Sequence, residues 1–325
     1  MSKSLDALRE ALQAAPSNSF APLSRQSLEE LGVSPLLGTS LWENVEGIFK
    51  QNPITPSVAL QHIQALHKRL ESLQETMRSL TSALTQLKIG AEELQPGEME
   101  IGVLIPREAV KNRLQEFGTE LTRLNHTFGV FSELVTGGRE GFRIRAVASS
   151  DLSVFLDVAP EVGACLAIAV ERIVALYKQV LEIKKLRKEM ADTGVPETAL
   201  APVDEHANGL MAAGIDPLVK ELFDKYSSKG RDKHRRNELE VNLRAALNAI
   251  ANRVDSGYNI EVRTTPPLDM AKTPEAQREA INTVLQASTT MQFLRPTGER
   301  ILGLPESTDK ATGDTTSEPP PAPKA

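Results

Sequence analysis

The sequence predicts an α+β protein that is predominantly helical, with a small antiparallel sheet as its head. Three observations predict it: an unbroken heptad run over residues 57 to 89, two further long helical runs, and short alternating segments that fall around them. Composition agrees. The chain has 325 residues, 40% of them hydrophobic and only 4% aromatic, so it has material for a core and its apolar side chains are mostly those that suit helices.

Residues 1 to 53 read as a helical N-terminal module of short helices divided by Pro, Ser and Asn. The stretch Ser40, Leu41, Trp42, Glu43 has capping-box form ahead of Val45, Ile48 and Phe49. A long heptad helix, assigned to 54–95, follows. Ile63, Leu70, Met77 and Leu84 take its a positions, and Leu66, Leu73, Leu80 and Leu87 its d positions. Its e and g positions are mostly uncharged (Thr76, Thr81, Ala83 and Gln74), so ionic selection of a partner helix is weak.

An α+β head is expected over 96–302. "EMEIGVLIP" alternates Met99, Ile101, Val103 and Ile105 against Glu98, Glu100, Gly102 and Leu104. A helix is then expected from Pro106, at the N1 position, to the glycines at 137 and 138, with Val110, Leu114, Phe117, Leu121, Leu124, Phe128, Phe131 and Val135 as its stripe. "FRIRAVA" and "LSVFLDV" read as a hairpin about a turn at Ser149, Ser150 and Asp151.

From Pro160 to Met190 a third helix is apolar on nearly all sides until Val174, and its basic end, "KKLRKEM", is expected in water. "ADTGVPETALAPVDE" reads as an irregular connection, Asp216 and Pro217 as the start of a helix to Tyr226, and Leu239, Leu243, Leu247, Ile250 and Val254 as the stripe of another. These make a helical insertion over about 196–256. "YNIEVRTTPP" is the last strand, and a helix from Thr273 to about Leu294 closes the head. Residues 303–325 form a Pro/Ser/Thr-rich tail with little to bury, expected to be disordered.

The order strand, helix, strand, strand, helix, strand is the βαββαβ arrangement of a ferredoxin-like sheet. Helices of about 30 residues reach roughly 45 Å, and strands of seven or eight reach only about 25 Å. The helices therefore overhang the sheet as coiled-coil rods, and the heptad helix is the expected cover for their ends, unless it pairs with another chain.

A net charge of -6 opposes a general nucleic-acid-coating role. The lone Cys165 excludes an intrachain disulfide or a Cys-based zinc site, and its apolar neighbours make it a core thiol. The N-terminal stretch is interrupted by Asp6, Arg9 and Glu10 and has no apolar signal core, so a cytoplasmic protein without membrane segments is expected. His62 and His67 flank the Leu66 seam on opposite sides. Asp204, Glu205 and His206 are adjacent and point about 100° apart on a helix, which opposes their convergence. The glycines of "TGGREG" lie between helix and strand, the reverse of a phosphate loop, and read as a C-cap and turn. No metal, cofactor or catalytic set is predicted.

Three binding surfaces remain. The first is the heptad seam of Ile63, Leu66, Leu70, Leu73, Met77, Leu80, Leu84 and Leu87. The second is the basic stretch 225–236, with Lys229, Arg231, Lys233, Arg235 and Arg236 as candidate polyanion contacts. The third is the non-core face of the sheet, where Arg143, Arg145 and Arg263 stand beside Glu98, Glu100 and Glu261 as a salt-bridged or docking face. The expected function is a non-enzymatic protein that self-associates or binds a protein partner through coiled-coil helices and the sheet head. The alternatives are a regulator that binds nucleic acid or another polyanion through the basic loop, and an enzyme or enzyme subunit whose site the sequence does not reveal.

Overall fold

A computed structural model describes residues 2–86, 94–148, 152–227, 233–294, 296 and 299–306. The N-terminal module is three helices, α1 (Ser2–Gln13), α2 (Pro22–Glu30) and α3 (Gly38–Gln51), followed by the long α4 (Pro56–Gln86). The head runs β1 (Met99–Ile105), α5 (Leu114–Thr136), β2 (Ile144–Ala148), β3 (Leu152–Val158), α6 (Pro160–Asp192), α7 (Glu197–Tyr226), α8 (Lys233–Asp255), β4 (Asn259–Thr264) and α9 (Glu275–Thr290). The result is a mostly helical α+β molecule with one small antiparallel sheet, in the order β2-β3-β1-β4.

Alternation fixes which side of the sheet is buried. Met99, Ile101, Val103 and Ile105 on β1 stand in register with Val158, Leu156, Val154 and Leu152 on β3, and Ile101 and Val103 face Val262 and Ile260 on β4. This face shares one core with Leu124, Phe128, Phe131 and Leu134 of α5 and with Val162, Cys165, Leu166 and Val170 of α6. Helix α6 comes close to the sheet at Gly163, where an added Cβ would lie 3.0 Å from Met99 Sδ and 3.2 Å from Val158.

Strand β2 departs from the expected alternation. A register irregularity between Ile144 and Ala146 puts Ala146 opposite Phe155 and Val147 opposite Val154, so Val147 turns to the core side and Ala146 to the other. The turn expected at Ser149, Ser150 and Asp151 lies outside the described residues.

Four other expectations are corrected. The helix after β1 starts at Leu114, not Pro106. Pro106 instead begins a 3-10 turn (Arg107–Val110), and Lys111 and Asn112 adopt positive φ of 50° each, which interrupts a right-handed helix. The stretch read as an irregular connection is mostly helix: α7 starts at Glu197 and runs unbroken through Pro202 and Pro217. Each proline removes one donor, and burial of Leu200, Ala207, Met211, Ile215, Leu218 and Leu222 along the same helix outweighs that loss. The basic end of α6 is not wholly in water, because Lys184 is only 3% exposed. The overhang of α6 is covered by α7 and α8, not by α4, which rests against α3.

The chain also stays ordered past the point where the tail was expected to begin. Leu304 is buried, and residues 303–306 are bonded to α7 and α8. Residues 307–325 lie outside the described part. No described helix is long and apolar enough to cross a membrane.

Candidate interaction surfaces

Helix α4 carries the heptad seam on a rod of 31 residues, roughly 46 Å long. Ala59, near its start, is buried, and Ile63, Leu66, Leu70 and Leu73 are half-buried. An open cleft of about 480 Å³ separates this middle part from the α2–α3 connection, between Leu31, Val33 and Leu36 on one side and Ala65, Arg69, Leu73 and Thr76 on the other. Further along, Met77 is 43% and Leu80 50% exposed. The side chain of Leu84 and the whole of Leu87 lie outside the described residues. The seam is thus partly covered near its start by α3, and its described far end is open.

The non-core face of the sheet carries the three expected arginines, two of them tightly held. Arg145 Nε donates to Asp157 Oδ1 at 2.6 Å, Arg145 Nη2 donates to Glu98 Oε2 at 2.7 Å, and Glu100 Oε2 lies 3.6 Å from Arg145 Nε. Burial pushes the Asp157 carboxyl up, but bonds from Arg145 and Arg143 outweigh it and hold the group below its ordinary range. Arg263 pairs with Glu100 and lies 4.5 Å from the centre of the Phe155 ring. Arg143 also bonds Asp157, and its side chain stays 79% exposed.

The first turn of helix α2 of the N-terminal module meets this face at Glu261. Glu261 Oε2 accepts the Leu23 main-chain N–H at 2.9 Å, so a β4 carboxylate caps a helix that has no side-chain cap of its own. Arg25 donates to Ser288 O at 2.8 Å, to Thr289 O and to Met291 O, which caps the C-terminal end of α9 with a cation. Gly102 leaves room beneath, since a Cβ there would meet Phe155 at 3.2 Å and Glu261 at 3.3 Å. Burial raises the Glu261 carboxyl to about 7. Its Oε1 makes no hydrogen bond and lies 3.7 Å from Arg263 Nε, which makes none either.

The basic stretch is divided. Lys229 and Arg231 lie outside the described residues, and Lys233 begins α8 with its side chain also outside them. Arg235 pairs with Glu133 of α5 and with Glu238, and Arg236 stacks 5.0 Å from the centre of the Phe223 ring. Both described arginines therefore tie α8 to its neighbours.

The other candidates settle individually. Cys165 is fully buried, and burial pushes its thiol up, away from the reactive range. Gly137, at φ 94°, is the C-cap of α5. Asp204 accepts from Arg187 at 2.6 Å, while Glu205 and His206 are exposed. His62 and His67 are both exposed on α4. Among the described residues no group of three or more His, Cys, Asp or Glu side chains could hold a metal ion.

Sequence reasoning missed a buried polar stripe on α8. Asn248, Asn252 and Asp255, spaced by four and three, lie beside the apolar stripe and are 5%, 1% and 2% exposed. Tyr177 Oη and Lys184 Nζ donate to Asp255 Oδ1 at 2.6 and 2.8 Å, and the remaining bonds of the stripe go to residues 301–306. The signal was available, because three polar residues recurring at helical spacing inside a buried helix require partners. No family profile, curated protein or solved structure matches this chain.

Proposed function

We propose that this chain is a non-enzymatic interaction protein that self-associates through the seam of α4. The observation that carries the reading is the far end of α4, where Met77 and Leu80 continue the heptad positions of Ile63 to Leu73 and yet stand about half exposed. Large side chains repeated at a and d on a rod gain most when a second helix takes them as knobs. The e and g positions between Leu70 and Leu84, Gln74, Thr76, Thr81 and Ala83, carry no charge, so along that part of the rod two identical helices meet no like-charge barrier.

The head serves as the rigid base of that rod. We read it as ferredoxin-like, a reading supported by the strand order β2-β3-β1-β4, the antiparallel pairing of each neighbour and the single face carrying the core. A cytoplasmic location is part of the same proposal, supported by a single, buried, unpaired cysteine.

The test is oxidative cross-linking of the full chain carrying Met77→Cys and Leu80→Cys, with Ser79→Cys as the control. A parallel, in-register seam between two copies gives a disulfide-linked dimer from the first and little from the second. Equal cross-linking from both would overturn the proposal.

A further inference from the structure

Residues 301–306, Ile-Leu-Gly-Leu-Pro-Glu, form no helix or strand, and their main chain is held by side chains. Asp255 Oδ2 accepts the N–H of Ile301 and of Leu302, each at 2.7 Å. Asn208 of α7 grips both ends of one peptide span: its Nδ2 donates to Ile301 O at 3.1 Å, and its Oδ1 accepts from Gly303 N at 2.8 Å. Asn252 reads Leu304 on both sides, accepting from its N at 3.1 Å and donating to its O at 2.9 Å, and Asn248 donates to Pro305 O at 2.9 Å. Leu302 O accepts from the neighbouring Arg300 Nε.

The apolar side chains supply anchors. Ile301 is 7%, Leu302 2% and Leu304 7% exposed, while Gly303 has open space where a side chain would stand. Glu306 closes the segment, accepting from Asn252 Nδ2 at 2.6 Å and lying 3.5 Å from Arg253 Nη1.

Asparagine amides that pair donor and acceptor with one backbone, plus pockets for alternate side chains, are a way to hold an extended peptide whatever chain it belongs to. We propose that the groove between α7 and α8 is a peptide-recognition site. Its ligand is a short linear segment of a partner protein with the pattern apolar, apolar, any residue, apolar, proline, acid, and residues 301–306 are the resident copy that competes with it. The fit of the pattern is set by the segment already seated there: three buried anchors, one open position, and an acid opposite Arg253. This site is independent of the α4 seam.

The test uses the full chain and a fluorescein-labelled peptide, Glu-Arg-Ile-Leu-Gly-Leu-Pro-Glu, read by fluorescence anisotropy. In a variant with Leu302→Asp and Leu304→Asp the resident segment is weakened. That variant should bind the peptide at least about tenfold more tightly than the unaltered chain, and adding Asn252→Ala should remove at least about tenfold of that affinity. A folded variant, checked by circular dichroism, that binds no peptide overturns the proposal.

If the variant does not fold, hydrogen exchange on the unaltered chain decides. Amides of Leu302 and Leu304 that open well before those of Leu243 to Ala251 support a replaceable segment, and exchange only together with α8 overturns it. A dimer of the unaltered chain that Leu302→Asp with Leu304→Asp abolishes would make a second copy the occupant, and would also overturn the partner reading.

Discussion

Glu261 shows how one buried carboxyl can join two parts of a chain. Its Oε2 caps α2 through Leu23, and the charged groups around it come from three elements: Glu100 on β1, Arg263 on β4 and Arg25 on α2. Burial raises its carboxyl from an ordinary value near 4.5 to about 7. An acid raised by folding holds its proton in the folded state while the unfolded chain has already released it, so stability falls as pH rises from about 4.5 to about 7 and then levels off. At about 1.4 kcal/mol per unit, the full span is worth roughly 3 kcal/mol. Glu261→Gln keeps an acceptor for Leu23 and removes the titration. Melting curves between pH 5 and 8 should show the two proteins diverging, with the unaltered chain losing stability as pH rises. A constant difference across that range would refute this role.

Asp255 is the second residue where a substitution is decisive. Its side chain is fully buried, it accepts from Tyr177, from Lys184 and from two main-chain N–H groups, and Lys184 has no water to turn to at 4% exposure. Asp255→Ala strands a buried ammonium and should cost about 3–5 kcal/mol in urea unfolding. Adding Lys184→Met to it should recover part of that loss, because the stranded charge is then gone.

At the scale of elements, periodicity carried the reading well where a single rule governed. Strands β1, β3 and β4 follow their alternation, and α6 starts at Pro160 as the N1 preference requires. The reading failed where two rules competed. Lys111 and Asn112 broke a helix that the apolar stripe would have continued, because positive φ in non-glycine residues leaves no clear mark in sequence. In α7 the sequence reads Pro217 as a helix start and Pro202 as part of an irregular connection, whereas burial of one apolar face keeps the helix whole through both. Pro217 is exposed, and its missing N–H leaves the helix one bond short. Pro217→Ala should therefore raise stability by about 1–3 kcal/mol, measured by chemical denaturation. A loss of stability would mean that the proline shapes a bend the neighbours need.

For the whole molecule, the sequence made the class legible, α+β with helix predominant, and listed the charged residues of the outer sheet face. It did not reveal that the first turn of α2 would meet Glu261 among them, since contacts between Leu23 and Glu261 or Arg25 and Ser288 are separated by more than 200 residues and carry no local pattern. The same holds for the segment at 301–306, whose partners on α7 and α8 lie up to 95 residues away. Heptad spacing, by contrast, is local, and it identified α4 without help from any tertiary contact.

The central claim is that α4 joins two copies of the chain. Sedimentation equilibrium of the full chain, alongside a Met77→Asp and Leu80→Asp variant, tests it most directly. Both altered side chains lie on the open end of the rod, so the variant should keep its fold and its melting temperature at low concentration. The account predicts a concentration-dependent dimer for the unaltered chain and a monomer for the variant. A monomer for both across the same concentrations, or an equal dimer for both, would contradict it.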